Sequence, residues 1–187
     1  MRSDPPSPLA GPALGNLAAP AAQARPLRPL QAADAQDLIA IYGDAVLQQG
    51  AGRYSAEQLR AWAGHAAEGG AIARALELGY GLASLEGGDI AAFGVLEPLD
   101  RLSLLYCRSQ SSRRGHASAI LRALEQHAQA KGVQQLRTEA SQLSRPLLLR
   151  RGWQVEAEET VRFAGVWFRR WRMIKPLQSA SAQDSDG

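Results

Sequence analysis

The stretch from Leu102 to Gln129 constrains the fold of this chain more than any other. An apolar, strand-like run, Leu102–Cys107, passes into a short polar loop ending in Arg113-Arg114-Gly115-His116-Ala117, and a long amphipathic helix follows at once. Ala117, Ile120, Leu121, Leu124 and Ala128 recur at helical spacing on one face, with Arg122, Glu125, Gln126 and Gln129 on the other. Lys131-Gly132 close the helix, a cation in the last turn followed by a residue suited to a left-handed cap. Val133–Ala140 then returns as a strand. Strand, helix, strand of this length is a crossover, so the two strands are predicted to lie parallel.

The flanking sequence supplies the remaining elements. Pro26–Leu30 reads as an extended edge strand, because proline is tolerated at sheet edges. Asp34 is placed to cap a helix whose apolar face is Leu38, Ile41, Tyr42 and Ala45, and which weakens at Gly50 and Gly52. Ser55 and Gln58 form a capping-box pattern before a second helix lined by Leu59, Trp62 and Ala63. Ala71–Leu78 fits helix or strand. Tyr80–Leu85 and Ile90–Leu96 read as strands around the turn Glu86-Gly87-Gly88-Asp89, and with Leu102–Cys107 they make an antiparallel meander. Ser144 and Pro146 start a short helix that Gly152 stops, before two final strands, Trp153–Phe163 and Val166–Ile174. The predicted class is α+β: a mixed, mostly antiparallel sheet of about six or seven strands with helices on both faces.

With 187 residues, the chain is long enough for one domain with a real core, expected over residues 25–177. Residues 1–24 are rich in Ala, Pro and Gly, and prolines and glycines break every candidate signal-peptide core, so a disordered leader is expected. Residues 178–187 read as a disordered tail. Cys107 is the only cysteine, which excludes an intrachain disulfide, and no apolar run approaches a membrane span. A cytoplasmic protein without membrane partners is expected. The net charge of +3 is compatible with plain solubility or with an anionic ligand.

The first N–H groups of a helix lack internal acceptors and carry partial positive charge, so the turn before Ala117 suits a phosphate-bearing ligand. Gly115 is followed by His116 rather than Lys-Ser/Thr, which rejects a P-loop, and it stands without the further glycines of a dinucleotide fingerprint. An anion site with two arginines and an ordinary strand-to-helix turn both remain open on these residues alone.

The turn resembles motif A of the GNAT superfamily of N-acetyltransferases, whose pattern is Gln/Arg-x-x-Gly-x-Gly/Ala after a Leu-Tyr-Val-like strand end. Leu105-Tyr106-Cys107 matches the strand end, and Arg114-Gly115-His116-Ala117 matches the core of the turn. Tyr54 through Trp62 resembles the early-helix segment of a bacterial subgroup, and Thr138-Glu139-Ala140-Ser141 through Arg145-Pro146 to Trp153 resembles its motif B. The resemblance runs from about Leu27 to Leu177. It implies acetyl-CoA as co-substrate, no metal, and acetyl transfer to the primary amine of a small molecule or peptide. It also implies a homodimer, since many members are dimers.

By the same resemblance, Arg113, Arg114, Gly115, His116, Ala117 and Ser118 hold the pyrophosphate. Leu105, Tyr106 and Cys107 hold the pantetheine where two parallel central strands splay apart, and Ser141 and Ser144 complete the cofactor contacts. Tyr54 and Trp62 fall on the acceptor side. Three positions depart from the pattern: Ser112 replaces Gln/Arg, Ser141 replaces an asparagine, and Leu148 replaces the tyrosine that often protonates the leaving thiolate. Glu97, at a strand end, is the first candidate for the base, although a solvated turn residue is the plainer reading. The missing tyrosine keeps open a catalytically degenerate CoA-binding sensor or scaffold. Trp167-Phe168-Arg169-Arg170-Trp171-Arg172 keeps open a nucleic-acid-binding module, against a terminal strand with Trp167 and Trp171 on one side.

Overall fold

The computed structural model describes residues 25–177. The leader, 1–24, and the tail, 178–187, lie outside the described residues. The chain begins with β1 (Leu27–Pro29) and a 3-10 turn, Ala32–Asp34, leading into α1 (Ala35–Asp44). Asp34 does not cap α1. Its carboxylate is drawn back to Arg28, at 2.8 Å from both guanidinium ends, and to the Gln31 N–H at 2.8 Å, and Arg28 holds its pKa below the usual range. These partners offset the cost of burying the charge. Past α1 the chain continues as a π-helical turn, Ala45–Gln49.

Ser55 and Gln58 form the expected capping box at the start of α2 (Ala56–Ala67): the Gln58 N–H donates to Ser55 Oγ at 3.1 Å and the Ser55 N–H to Gln58 Oε1 at 2.9 Å. The segment that fitted helix or strand is α3 (Gly70–Leu78), with Ile72 and Ala75 buried at helical spacing. Then come β2 (Tyr80–Glu86) and β3 (Asp89–Leu96), joined through Gly87 and Gly88 at φ +62° and +96°. Two positive φ values in a two-residue hairpin turn match the twist of the flanking strands. The rest is β4 (Leu102–Cys107), α4 (His116–Ala130), β5 (Gln135–Ala140), α5 (Arg145–Arg150), β6 (Gln154–Phe163) and β7 (Val166–Pro176). Among the described residues no helix is long and apolar enough to cross a membrane.

The seven strands make two antiparallel half-sheets, β1-β2-β3-β4 and β5-β7-β6. The halves meet where β4 and β5 begin side by side. Arg101 and Arg137 form a parallel bridge, the Arg137 N–H donates to the Asp100 carbonyl at 2.9 Å, and Thr138 Oγ1 donates to the Leu102 carbonyl at 2.7 Å. Beyond that point β4 pairs only with β3, and β5 only with β7. The sheet therefore splits between its two parallel central strands, as expected.

Helices cover both faces. On one, Ile120, Leu121, Leu124 and Leu148 pack with Leu136, Trp153, Trp171 and Met173. On the other, Leu38, Ile41, Val46 and Ile72 pack with Phe93 and Leu104. Glu125, which helical spacing assigns to the polar face of α4, is 8 % exposed. It accepts from Trp153 Nε1 at 2.9 Å and from Lys175 Nζ at 2.7 Å, so a buried charge has its partners. The Trp/Arg segment lies in β7. Trp171 is buried whereas Trp167, near the hairpin end, is 62 % exposed. Arg169, Arg170 and Arg172 face Glu158, Glu159 and Glu156 of β6 at 3.3, 2.7 and 3.7 Å. Those cations are thus matched by glutamates of the neighbouring strand.

Candidate active site

The split sheet opens into a cavity of about 820 Å³, within the size range of ligand sites. Its floor lies at a β-bulge in β4. Val95 pairs with Leu104 and Leu96 with Leu102, so Ser103 is an extra residue on β4, and its hydroxyl donates to the Val95 carbonyl at 3.2 Å. Beyond the bulge, strand alternation decides which backbone groups face the gap. The Arg108 N–H donates to Ala91 on β3, so the preceding Cys107 carbonyl points the other way, where it accepts from Gln49 Nε2 at 2.7 Å. By alternation the N–H and C=O of Leu105 also face the gap, while those of Tyr106 face β3. Of the three strand-end residues named from the sequence, Leu105 therefore offers an open backbone pair.

The turn before α4 closes one end of the cavity. Arg113 and Gly115 adopt left-handed φ values of +62° and +90°, and a turn of that kind presents successive N–H groups to one side. The first helical bond of α4 runs from the Ala119 N–H to the Gly115 carbonyl, which leaves the N–H groups of His116, Ala117 and Ser118 without intrahelical acceptors. Arg113, Gly115, His116, Ala117 and Ser118 all line the cavity. Arg114 does not. Its guanidinium is bound to Glu86 at 3.0 Å, and Ser111 and Arg114 together hold the Glu86 carboxyl down at about 2.

The His116 side chain is 1 % exposed and points away from the cavity, sharing a 2.8 Å hydrogen bond through Nδ1 with Ser84 on β2. Burial, followed by the Arg25 charge, lowers its pKa, so the imidazole is neutral and anchors the start of α4. Burial pushes the Cys107 thiol up to about 11, which leaves it a thiol rather than a nucleophile.

The opposite wall comes from the α1–α2 connection and from α5. Gln48, Gln49, Arg53 and Trp62 line it, and Ser141, Ser144 and Leu148 line the α5 side. Tyr54, expected on the acceptor side, is instead buried against Trp62 and Phe168, and its hydroxyl accepts from the Gln142 N–H at 2.9 Å. Ser144 does not cap α5 with its side chain. It accepts from the Ser141 N–H at 3.0 Å and lies 3.2 Å from Ser141 Oγ. Tyr106 stacks on Tyr42 with ring centroids 4.1 Å apart, and Trp62 Nε1 donates to the Tyr42 hydroxyl at 3.0 Å.

Glu97 is not among the lining residues. Arg74 holds its carboxylate at 2.8 and 3.0 Å and lowers its pKa. The carboxylate that does line the cavity is Glu139. Leu136 and Ala140 bury against α4 and α5, so alternation along β5 turns Glu139 to the other face. There it pairs with Arg101 at 2.6 and 2.9 Å. Glu139 lies inside a stretch whose pattern the sequence displayed. Gln49 and Arg53 lie where the sequence shows only a fading helix, and the contacts that bring them to the gap are all long-range.

A family model described as an acetyltransferase (GNAT) domain matches residues 51–175. Among solved structures, a GCN5-related N-acetyltransferase from Rhodopseudomonas palustris aligns at 29% identity with a TM-score of 0.79, over 83% of this chain and 97% of that chain. The PaiA N-acetyltransferase from Thermoplasma acidophilum, solved with coenzyme A, aligns at 17% identity and TM-score 0.59, over 81% and 98% of the two chains. The ribosomal-protein-S18-alanine N-acetyltransferase from Escherichia coli aligns at 16% identity and TM-score 0.59, over 87% and 99%. The search of curated proteins returned no match.

Proposed function

This chain belongs to the GNAT acetyltransferase family, and on that basis we propose that it transfers the acetyl group of acetyl-CoA to a primary amine in the gap between β4 and β5. The observation that carries this reading is the pairing of two features in one cavity: an open backbone edge at Leu105 and a helix N-terminus with unsatisfied N–H groups at His116, Ala117 and Ser118. A strand edge suits the amides of a pantetheine arm, and a helix start suits a pyrophosphate. Arg113, Gly115, Ala117 and Ser118 would hold the phosphates, with His116 giving its backbone N–H. Cys107, Ser141 and Ser144 would line the arm. Acetyl-CoA supplies the activated acyl group as a thioester.

The residues of the chain do the rest. The Leu105 N–H is placed to donate to a carbonyl oxygen that gains negative charge. Glu139 takes the proton from the amine, directly or through water, in place of Glu97. Leu148, 1 % exposed, contributes an apolar wall and no proton, so the departing sulfur takes its proton from solvent or from the hydroxyls of Ser141 and Ser144. Trp62 lines the acceptor side.

Glu139→Gln is expected to lower kcat by about 100-fold or more, with stabilisation by acetyl-CoA retained. Glu97→Gln is expected to leave kcat unchanged. Equal losses in both variants would remove Glu139 from this role. The Leu148 position also favours a second reading, a CoA-binding sensor, which would show as stabilisation by acetyl-CoA without turnover on any amine.

A further inference from the structure

We infer that the acceptor amine also carries a carboxylate, and that Arg53 binds it. The inference rests on the transfer reading above and specifies the acceptor that reading leaves open. The charged side chains lining the cavity are Arg53, Arg113 and Arg150 against the single carboxylate of Glu139, whose charge is already offset by Arg101. With Arg113 given to the phosphates, Arg53 and Arg150 still outnumber Glu139, which disfavours polyamines and lysine-rich peptides, since these need acidic surroundings.

Arg53 is set apart from the other two cations by its place. Arg113 belongs to the turn at the start of α4, and Arg150 to the end of α5. Arg53 enters from the α1–α2 connection. Among the described residues it forms no ion pair, like Arg113 and Arg150 and in contrast to Arg28, Arg74, Arg101, Arg114 and Arg137. Its guanidinium contact is the Gln142 carbonyl at 3.5 Å, the outer limit of a hydrogen bond, so most of its donors are free to bind something else.

The loop that carries Arg53 is fastened at both ends. Gln49 holds the Cys107 carbonyl at 2.7 Å on the β4 side of the gap. Tyr54 holds the Gln142 N–H at 2.9 Å on the β5 side, and the Ser55–Gln58 capping box follows at once. Ordering of this loop is therefore a cost of folding and not of binding, which favours recognition by the side chain it displays. A guanidinium matches a carboxylate with two parallel hydrogen bonds. Glu139 faces the same side of the sheet. One cavity thus offers a carboxylate to take the amine's proton and a guanidinium for a carboxylate, the pattern of a small amino acid or a close analogue.

The test compares α-amino acids, their C-terminal amides and spermidine as acceptors, read by thiol release at saturating acetyl-CoA. Amino acids are expected to exceed their matched amides by about 10- to 100-fold in kcat/KM, the size of one charge-assisted interaction. Arg53→Gln is expected to abolish that preference through KM for the acids, leaving the amides and the KM for acetyl-CoA unchanged, while Arg53→Lys keeps part of it. Amides or spermidine used as well as the acids would overturn the inference and leave the transfer reading standing. So would an Arg53→Gln effect confined to acetyl-CoA, which would make Arg53 a phosphate contact. Stabilisation by acetyl-CoA with no turnover on any amine would overturn both.

Discussion

Gly115 sits at φ +90°, and a Cβ added there would meet no atom within 4 Å. Its importance is therefore not steric crowding inside the protein. It combines a left-handed backbone, which side chains other than Asn and Asp adopt at a cost, with a position beside the free N–H groups of α4. Gly115→Asp keeps that conformation accessible and adds a negative charge at the end meant for phosphate. The expected result is an intact fold with affinity for acetyl-CoA lowered on the order of 100-fold or more, measured by titration calorimetry. Gly115→Asn, which has the same shape without the charge, should retain most of the affinity. Equal losses in the two variants would mean that shape rather than charge matters, and would count against the phosphate assignment. The neighbouring His116 illustrates the other kind of residue in this turn: its ring is buried and bonded to Ser84 through Nδ1, and its backbone N–H is what it offers the cavity.

At the scale of elements, α4 links the anion end of the cavity to the core. It lies close over β3, where a Cβ at Gly94 would stand 2.7 Å from Ile120 Cγ2 and 3.1 Å from Leu124 Cδ1. Glu125 ties the same helix to the start of β6 and to β7 through Trp153 and Lys175. Glu125→Ala would leave the Lys175 ammonium without its carboxylate and the buried indole N–H without an acceptor. A loss of about 3 kcal/mol in unfolding free energy is expected from urea denaturation. Because Glu125 is remote from the cavity lining, the KM for acetyl-CoA should change little in protein that remains folded. The π-helical turn at Ala45–Gln49 is the corresponding device on the other wall. It precedes the loop that brings Gln49 and Arg53 to the gap, and π-turns within helices often mark functional sites.

Among the described residues, the molecule consists of two half-sheets that share only the first residues of β4 and β5. Helices complete each half: α1 and α3 pack on the four-stranded side, α5 on the three-stranded side, and α4 crosses from one to the other. A ligand in the gap would bond to β4 and line β5, so it would join halves that few backbone bonds connect. Acetyl-CoA at about 100 times its Kd should raise the unfolding free energy by about 2.7 kcal/mol, since it binds the folded chain alone. Hydrogen exchange should slow most at the Leu105 N–H and the first turn of α4. Stabilisation with unchanged exchange at those groups would place the ligand elsewhere.

Much of this arrangement could be read from local patterning. The 3.6-residue and two-residue periods, the Ser55–Gln58 box, the Gly87-Gly88 turn and the crossover through α4 depend on neighbours in sequence, so the elements and the class of the fold were legible. The turn at Arg113–Ala117 was legible for the same reason, because a helix start creates its own unsatisfied donors. Other features depend on which distant groups meet. Asp34 and Ser144 look like caps until Arg28 and Ser141 claim their oxygens. Glu97 looks like the carboxylate of the site until the fold leaves it outside the cavity, whereas Glu139 enters it because the alternation of β5 turns it away from α4 and α5. The Ser103 bulge arises only when β3 pairs with β4, and the approach of Arg53 to Gln142 only when the half-sheets assemble, whereas the split between β4 and β5 was legible through the family resemblance. Backbone and side-chain hydrogen bonds within a few residues are settled by local geometry. Competition for a charged or polar partner is settled by tertiary structure, since every candidate across the molecule takes part in it.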